Sequence, residues 1–308
     1  MSKGVEVRVG PGVRGRVYRE YPLSGLTTWK IGGQAEYLAV PEDLEDVFQL
    51  LGWAYQQGWP VFYLGRGSNV LIGDEGLPGL TLYLPRSFQK LEREGDRCRV
   101  GAGVGLTRWA RAVAAWGFGG YEFLAGIPGT VGGAVRLNAG AFGQSLAQVL
   151  RRVWVATPQL KVLEMAAGEL ALGYRRSRLL SFPHWLVVEV ETALEEEAEP
   201  GAVRGRMAEY LRLRRERQPS NPRSCGSVFK NPAGGPAAGY LIEEAGLKGR
   251  RRGGAQVSRK HANFILNQGG ATAAEVRQLI EEVQEAVWRR FGVHLEREVV
   301  FLPEDYFP

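Results

Sequence analysis

The chain has 308 residues, of which 44% are hydrophobic, and this length predicts two or three domains, each with a core of its own. It contains no run of about 18 apolar residues and no apolar leader-like stretch, so we expect a cytoplasmic protein without a membrane partner. Two distant cysteines, Cys98 and Cys225, and three scattered histidines predict neither a disulfide nor a metal site.

The basic residues are mostly arginine, with 32 arginines against 7 lysines behind a formal net charge of +6. The guanidinium group binds phosphate oxygens two at a time, so this excess fits a diphosphate ligand. Nucleic acid would fit the charge as well. However, the basic residues are not interleaved with an aromatic platform or a recognised nucleic-acid module. We therefore expect small anionic ligands, no nucleic-acid partner, and solvated surface positions for most single arginines.

The first predicted elements are a strand at residues 37–40, a helix that starts after Pro41 and ends at Gly58, and a strand at Val61–Leu64. The second strand runs into a Gly-Arg-Gly-Ser-Asn loop at residues 65–69. Backbone N–H groups, a hydroxyl and a cation at one strand end predict a phosphate-binding loop. The helix is predicted from a stripe of apolar residues with helical spacing: Leu44, Val47, Phe48, Leu51 and Tyr55.

A second glycine-rich segment covers residues 126–143. Glycine lets the backbone lie close to a ligand and expose N–H groups to an anion, although a tight turn packed on another backbone is the alternative. The segment follows a helix predicted at residues 106–116. Two such segments suit a dinucleotide held between two lobes. Residues 101–105 lack the Rossmann glycine spacing, so that fold is excluded. The predicted helix buries one face: Leu106, Trp109, Ala110, Val113 and Ala114.

The pattern then turns to β structure, with strands predicted at residues 152–155, 160–163 and 185–190 around a polar stretch at residues 172–177. Three glutamates and a Pro-Gly pair follow and read as a linker. We therefore place a domain boundary near residue 202.

The last block begins with a helix at residues 202–217 and continues with a short helix at residues 240–245. A capping box at residues 272–275 predicts a long helix that Gly292 ends. A final strand at residues 294–301 completes a small α+β domain. The long helix is expected to bury one apolar face: Val276, Leu279, Ile280, Val283, Val287 and Phe291.

Seven motifs occur in order along most of the chain, and the set resembles the UDP-N-acetylenolpyruvoylglucosamine reductase family. The motifs are residues 65–71, 126–140, 174–177, 226–232, 246–258, 261–263 and 295–299. The resemblance implies an FAD-dependent reductase of peptidoglycan precursor synthesis, which uses NADPH to reduce UDP-N-acetylglucosamine enolpyruvate to UDP-N-acetylmuramate. It implies an α+β fold, in which a two-lobed p-cresol methylhydroxylase-type FAD-binding fold precedes a C-terminal α+β substrate domain. The expected parts are residues 1–86, 87–202 and 203–308.

The distance between two motifs indicates the subtype. Only 52 positions separate Arg175 from Ser227, which leaves no room for the extra subdomain and tyrosine-bearing lid loop of one subtype of the family. The chain therefore resembles the compact subtype. The lid tyrosine has no counterpart to carry over, and how the site closes stays open.

The resemblance implies three catalytic residues: Arg175, Ser227 and Glu298. Reducing an enolpyruvyl ether places negative charge on the α-carbon and its carboxylate, which a fixed arginine can hold through two contacts, so Arg175 takes that role. The α-carbon then needs a proton, for which Ser227 is implied. Glu298 is implied as the acidic partner, and on a regular strand Glu296 would share its face. Alone, these residues would read as a β-edge cation, a turn serine and a solvent-facing carboxylate.

The resemblance also implies cofactor and substrate contacts, and we expect a monomer. Neither glycine-rich segment contains His or Cys, so FAD should be noncovalent, and Cys225 should be a packing residue. A flavin oxidase of the same fold and a non-enzymatic nucleotide-sugar binding protein are the alternatives. The implied substrate residues are Tyr174, Arg217, Lys230, Asn231 and His261. The implied cofactor residues are Ile31, Gly32, Gly33, Gly65, Arg66, Gly67, Ser68, Asn69, Val70, Ile127, Pro128, Gly129, Thr130, Gly132, Gly133, Asn138, Ala139 and Gly140.

Overall fold

The computed structural model describes residues 4–10, 12–221 and 223–306. None of the helices in these ranges is long and apolar enough to cross a membrane. The helices are α1 (Leu44–Gln56), α2 (Leu106–Ala115), α3 (Val131–Arg136), α4 (Pro200–Arg217), α5 (Ala238–Glu244) and α6 (Ala273–Phe291). The strands are β1 (Val5–Val7), β2 (Arg16–Pro22), β3 (Gln34–Val40), β4 (Val61–Leu64), β5 (Val70–Ile72), β6 (Leu77–Tyr83), β7 (Leu91–Glu94), β8 (Arg97–Gly101), β9 (Gly140–Ala141), β10 (Gln144–Ser145), β11 (Leu150–Ala156), β12 (Val162–Ala166), β13 (Leu186–Ala193), β14 (Arg251–Arg252), β15 (Ala255–Val257), β16 (Ile265–Asn267) and β17 (Val300–Leu302).

The first lobe is a mixed sheet with strand order β1-β2-β3-β6-β4, in which β6 pairs parallel with β3 and β4. Helix α1 begins at Asp43, whose side chain accepts a hydrogen bond from the Asp46 backbone at 3.0 Å. The predicted stripe is confirmed at Val47 and Leu51, which are fully buried. Tyr55 is instead 41% exposed, because the buried stripe continues through residues 50 and 54.

The second lobe is an antiparallel sheet with strand order β12-β11-β13-β8-β7. Helix α2 buries all five residues of its predicted face. The predicted strand at residues 160–163 begins later, at Val162, because Leu160 takes a left-handed backbone (φ 57°) in the turn before it. The second glycine-rich segment contains the short helix α3, which was not predicted.

The predicted domain boundary near residue 202 lies in the first turn of helix α4, which begins at Pro200. Val203 and Met207 of α4 belong to the same buried cluster as the core of the second lobe. Arg206 contacts the buried Glu122 of that lobe at 2.5 Å. The division between the domains stays a prediction, and α4 is the segment on which it depends.

The C-terminal part packs α5 and α6 on a small antiparallel sheet with strand order β14-β15-β16. The predicted capping box is present, since Thr272 and Glu275 each accept the other's backbone N–H at 3.1 Å. Gly292 ends α6 with a left-handed backbone. The predicted face is buried except at Phe291, which is 36% exposed in the last turn.

The predicted final strand at residues 294–301 is wrong in both extent and partner. Only β17 (Val300–Leu302) forms, and it pairs parallel with β5 of the first lobe. Residues 296–298 are instead held by the segment that follows Ser227, because the Glu298 N–H donates to Val228 O at 2.8 Å. The end of the chain therefore brings Glu298 to the Gly65–Asn69 side of the molecule.

Candidate active site

A cavity of about 600 Å³ lies where the two glycine-rich segments meet the C-terminal part. Its volume falls within the range of small-molecule sites, roughly 300–1,000 Å³. Residues from both segments and from the polypeptide around residues 214–226 line it, among them Arg66, Ile127, Pro128, Gly129, Arg214 and Gly226.

The loop at residues 65–69 follows β4 and exposes its backbone donors. Its five N–H groups donate no hydrogen bond to any residue that the structure describes. Arg66 likewise forms no ion pair within the described ranges. Consecutive free amides beside a cation form a concave anion site. The loop therefore has the donors that a diphosphate requires.

Gly67 is required by packing within this loop. Its φ is +58°, and a Cβ there would lie 2.5 Å from the Leu26 carbonyl oxygen. The Gly67 carbonyl also accepts from the Thr28 N–H at 3.0 Å. Ser68 ties the loop to the second glycine-rich segment, because its Oγ donates to Pro128 O at 2.7 Å.

Most glycines of the second segment face protein. A Cβ at Gly132 would lie 3.1 Å from Ala102 Cβ, and one at Gly140 would lie 2.3 Å from Gln144 O. Gly133 and Gly143 are the exceptions, and in α3 the nearest atom to the Gly133 Cβ position is Thr130 Oγ1 at 4.0 Å. Alanine would favour a helix interior by about 0.5–1 kcal/mol. Glycine beside open space at this position therefore indicates room for a ligand.

The residues at positions 31–33 do not line the cavity within the described ranges. Ile31 is buried in the same cluster as Leu71. A Cβ at Gly33 would lie 2.3 Å from Asp74 O, so this part of the loop packs on the neighbouring turn. Their contact with the cofactor stays a prediction.

Arg175 and Glu298 form an ion pair, with 2.6 Å between Nε and Oε1. Their side chains are only 21% and 12% exposed. Arg175 has a left-handed backbone (φ 52°) in a tight turn, and its terminal nitrogen donates to Gly140 O at 3.3 Å. The structure thus brings together two of the three predicted catalytic residues.

Glu298 and Glu296 do not share a face, contrary to the strand prediction, because residues 294–299 are irregular. The Glu296 side chain is 72% exposed and pairs with Lys230 at 2.5 Å. Burial raises the pKa of Glu298 above its usual range, while the positive charges of Arg175 and Lys230 act in the opposite direction. A buried carboxyl with a raised pKa beside a cation is typical of a functional site.

Ser227 is half-buried, and its hydroxyl makes no hydrogen bond to a described residue. Its position is set by the residues that follow it. Val228 N–H donates to Asn263 O at 2.9 Å, and the Asn263 side chain both accepts from and donates to the Phe229 backbone. Because Val228 O also accepts from Glu298, Ser227 lies next to the backbone that carries the acid.

The predicted substrate residues differ in their contacts and in their exposure. Tyr174 OH accepts from the Asn231 N–H at 3.3 Å, and the Asn231 side chain accepts from the first N–H of α5 at 3.0 Å. His261 accepts from the Asn263 N–H at 3.3 Å, and burial lowers the pKa of its imidazole. Arg217 is exposed and does not line the cavity within the described ranges.

Comparison with known proteins gives a consistent result. Residues 35–166 match the FAD binding domain family, and residues 218–302 match the family described as UDP-N-acetylenolpyruvoylglucosamine reductase, C-terminal domain. The reductase of that name from Synechococcus sp. (strain JA-3-3Ab) is 44% identical over 288 residues, which are 94% of this chain and 92% of the relative. The second reductase of that name from Symbiobacterium thermophilum is 44% identical over 92% of each chain. The chain belongs to the UDP-N-acetylenolpyruvoylglucosamine reductase family.

The crystal structure of the Thermus caldophilus reductase agrees with this result. It is 36% identical, has a TM-score of 0.79, and covers 94% of this chain and 99% of its own. The predicted two-lobed FAD-binding fold with a C-terminal α+β domain is thereby confirmed. As a member of the UDP-N-acetylenolpyruvoylglucosamine reductase family, the chain is a flavoprotein oxidoreductase of peptidoglycan synthesis, with FAD as cofactor and NADPH as hydride donor.

The two glycine-rich segments have groups that fit FAD, and of these segments Arg66 and residues 126–129 line the cavity itself. The free amides of residues 65–69, the unpaired Arg66 and the open space beside Gly133 are the features that a dinucleotide diphosphate needs. The side chains of two predicted cofactor residues are already engaged by protein. Asn69 Nδ2 donates to Glu298 O, and Asn138 Nδ2 donates to Gly173 O, each at 2.9 Å.

Arg214 is a site residue that the sequence reasoning missed. It lines the cavity and makes no ion pair within the described part of the chain. Burial lowers the pKa of Arg214, and the charge of Arg175 adds to this effect. Arg214 follows Val203, Met207 and Tyr210 at helical spacing on the face of α4 that packs on the second lobe. That spacing was the signal that could have selected Arg214 over Arg217.

Cys225 is buried, as expected for a packing residue. Burial, with the nearby charge of Glu298, raises the pKa of its thiol. A thiol held neutral is a poor nucleophile, so nothing at Cys225 indicates covalent chemistry. Among the described residues, no group of three His, Cys, Asp or Glu is arranged to hold a metal ion.

Proposed function

We propose that the family's reaction takes place at the Arg175–Glu298 ion pair, beside the cavity between the glycine-rich segments. The observation that carries this proposal is the 2.6 Å contact of the pair. Arg175 and Glu298 come from distant parts of the chain and are mostly buried where they meet. They lie next to Ser227 and to the donors that fit FAD. Buried charges are costly unless they are paired, so such a pair has a structural or a catalytic reason.

The cofactor would be held mainly by backbone donors. The amides of residues 65–69 and the guanidinium of Arg66 would bind its diphosphate, with Gly129, Thr130 and Gly133 on the opposite side. Bound FAD supplies the hydride that reduces the substrate and takes it from NADPH. The remaining predicted contacts, from residues 31–33 and 138–140, are part of the same proposal.

Arg175 would hold the substrate carboxylate. Its Nε faces Glu298 and one terminal nitrogen faces Gly140 O, which leaves other N–H groups for the ligand. When the β-carbon receives a hydride, negative charge moves to the α-carbon and onto the carboxylate. A guanidinium fixed beside that charge binds it more strongly in the transition state than in the ground state, which lowers the barrier.

Ser227 would donate its hydroxyl proton to the α-carbon and complete the reduction. Its hydroxyl is free of bonds to described residues, and Asn263 holds the backbone of the next two residues, Val228 and Phe229. Lys230, three residues later, supplies positive charge that would favour the alkoxide left behind. Glu298 would orient Arg175 through their ion pair.

Tyr174, Arg217, Lys230, Asn231 and His261 would contact the sugar and diphosphate of UDP-N-acetylglucosamine enolpyruvate. We add Arg214, which lies on the cavity wall and close enough to Arg175 to feel its charge. A guanidinium without an acidic partner within the described residues is suited to a phosphate or carboxylate of a ligand.

The proposal extends to the organisation of the protein. We propose FAD-binding lobes at residues 1–86 and 87–202, a substrate domain at residues 203–308, a monomer, a cytoplasmic location, and no nucleic-acid or membrane partner. The sites of limited proteolysis would test the division into domains, and the mass from light scattering would test the monomer. Cleavage after α4 and not before it would move the last division.

The decisive experiment follows the flavin without oxygen. NADPH should bleach the yellow protein, UDP-N-acetylglucosamine enolpyruvate should restore the colour, and acid precipitation should release all of it. UDP-N-acetylglucosamine, which lacks the enolpyruvyl group, is the matched control and should restore nothing. Restoration by oxygen alone would favour the oxidase, and a colourless protein that cannot take up FAD would favour the binding protein.

A further inference from the structure

Two asparagines, one in each glycine-rich segment, hold the backbone on the two sides of the catalytic pair. Asn69 Nδ2 donates to the carbonyl of Glu298 at 2.9 Å. Asn138 Nδ2 donates to the carbonyl of Gly173, two residues before Arg175, also at 2.9 Å. The segments that fit the cofactor are thus joined by side-chain amides to the residues that would act on the substrate.

Further contacts make each connection rigid. The Asn69 carbonyl accepts from the Val300 N–H at 3.1 Å, so Asn69 is hydrogen-bonded to the residues on both sides of position 299. The Asn138 side chain is buried, and its Oδ1 accepts from the Ala147 N–H at 3.0 Å. Both ends of the Asn138 amide are therefore engaged by protein. A buried amide with its donor and acceptor satisfied is costly to displace.

The turn that carries Arg175 is tied to the same segment at two more points. Ser177 Oγ donates to Arg136 O at 2.6 Å, and Arg175 itself donates to Gly140 O at 3.3 Å. The left-handed backbone of Asn138 (φ 43°) lies between these contacts. Residues 136–140 therefore act as the support of the Arg175 turn.

We propose that Asn69 and Asn138 are positioning residues, which place Glu298 and Arg175 relative to the cofactor-binding backbone. Their side chains serve this purpose in place of a direct contact with FAD. The inference rests on the proposed function, because it assumes that Arg175 and Glu298 act on the substrate. A displacement of about 1 Å can cost about a hundredfold in rate, so loss of either amide should affect catalysis more than cofactor binding.

The variants are chosen to keep the backbone conformation. Asparagine, aspartate and glycine all tolerate a left-handed backbone, so Asn138→Asp and Asn138→Gly remove the donor with and without added charge. Asn69→Asp and Asn69→Ala do the same in the other segment. The matched control is Asn267→Asp, because Asn267 is as buried as Asn138 and its amide donates to Trp29 O at 2.9 Å, and not to the backbone beside Arg175 or Glu298.

Three quantities are measured for each variant: FAD occupancy after purification, the rate of flavin bleaching by NADPH, and the rate of colour return with UDP-N-acetylglucosamine enolpyruvate. At positions 69 and 138 we expect occupancy and bleaching close to wild type, and colour return slowed by about tenfold to a hundredfold. With their flavin oxidised, the Asn138 variants should also bind UDP-N-acetylglucosamine enolpyruvate more weakly, as measured by titration without NADPH. Asn267→Asp should lower the melting temperature without slowing colour return.

Loss of FAD with normal colour return in the loaded fraction would overturn the inference, because the asparagines would then be cofactor ligands. Equal slowing in Asn267→Asp would also overturn it, since the effect would be general loosening. Arg175→Ala and Glu298→Gln separate this from a failure of the proposed function. If those two variants return colour at the wild-type rate, the proposed function fails, whatever the asparagine variants do.

Discussion

The two glycine-rich segments share a high glycine content and differ in what their backbone contacts. In residues 65–69, five N–H groups have no partner among the described residues, and one buried glycine packs on the Leu26–Thr27 backbone. In residues 126–143, the chain forms α3, most glycines face protein, and the last part supports the Arg175 turn. The first segment thus has backbone donors without a protein partner, whereas the second lines the cavity at residues 126–129 and supports the Arg175 turn at residues 136–140.

Glycine density therefore does not by itself measure phosphate binding. A glycine is required either where a ligand approaches, as the open space at Gly133 indicates, or where another backbone approaches, as at Gly67 and Gly140. The sequence cannot separate the two cases, since both exclude a side chain for steric reasons. Substitutions that affect ligand contacts and backbone contacts separately therefore test the comparison.

The largest effect is expected at Ser227, which belongs to neither segment and so isolates the chemistry. Ser227→Ala removes the proposed proton donor, and loss of a general acid typically costs about 10²–10⁴ in rate. Colour return with the enolpyruvyl substrate should slow by at least about a hundredfold within that range. Flavin bleaching by NADPH should be near normal, because that step needs no proton at the substrate carbon. Stopped-flow absorbance measures both rates, and equal slowing of both would show that Ser227 shapes the flavin pocket instead.

Arg175→Ala tests the purpose of the support at residues 136–140. Removing a group that stabilises developing negative charge typically costs about 10²–10³ in rate. We expect slower colour return, weaker substrate binding and unchanged FAD occupancy, because the supporting residues 136–140 remain in place. Lys in place of Arg175 keeps the charge without the paired N–H groups and should recover only part of the rate. A protein that loses FAD instead would mean that this support and the cofactor surface are one structure.

Gly67→Ala and Gly133→Ala compare the segments directly through the same methyl group. At Gly67 the methyl meets the Leu26 carbonyl and the residue must stay left-handed, which costs at least about 1–2 kcal/mol, so the apoprotein should melt lower and bind little FAD. At Gly133 the methyl meets no protein atom closer than 4.0 Å and favours the helix. That apoprotein should melt no lower than wild type, yet bind FAD more weakly. Full FAD occupancy in Gly133→Ala would show that α3 does not face the cofactor.

Much of the fold followed from local patterns. Helix α2 matched its predicted face at every position, and the α6 capping box formed as predicted, because helical spacing and caps act over a few residues. The end of the chain was mispredicted at residues 294–299. Their alternation is typical of a strand, but their conformation is set by a hydrogen bond to Val228, about seventy positions away. The strand that does form, β17, pairs with β5 in another lobe. Contacts of such separation leave no periodic trace.

The site was predictable where motifs carry it and not where packing does. Arg175, Ser227 and Glu298 came from ordered motifs, and the structure places two of them 2.6 Å apart. Arg214 was missed because an arginine-rich helix gives many candidates, and its helical spacing from Val203, Met207 and Tyr210 is informative only once that face of α4 is known to pack on the second lobe. The paired use of Asn69 and Asn138 was equally hidden, since their partners are backbone carbonyls, which have no sequence signature.

The smallest expected effect concerns the pair of Glu298 and Arg175, which lies beside the backbone carbonyls that Asn69 and Asn138 of the two segments bind. Burial raises the pKa of Glu298, so the folded chain keeps this proton to a higher pH than the unfolded chain, where glutamate titrates near about 4.3. Between those two pKa values the folded state binds more protons, and stability falls as pH rises. The melting temperature of wild type relative to Glu298→Gln should therefore decrease as pH rises from about 4.3 through the raised pKa, since glutamine has no proton to lose.

Thermal melts of both proteins across this window measure the trend, and Glu296→Gln is the matched control, because it removes an exposed carboxylate from the same segment. Arg175 opposes burial at Glu298. Its removal in Arg175→Met should raise the pKa of Glu298 further and extend the decrease to higher pH. A relative melting temperature that increases with pH would mean that the attraction between Arg175 and Glu298 outweighs burial, and the Glu298 carboxyl would then be an ionised anchor for Arg175.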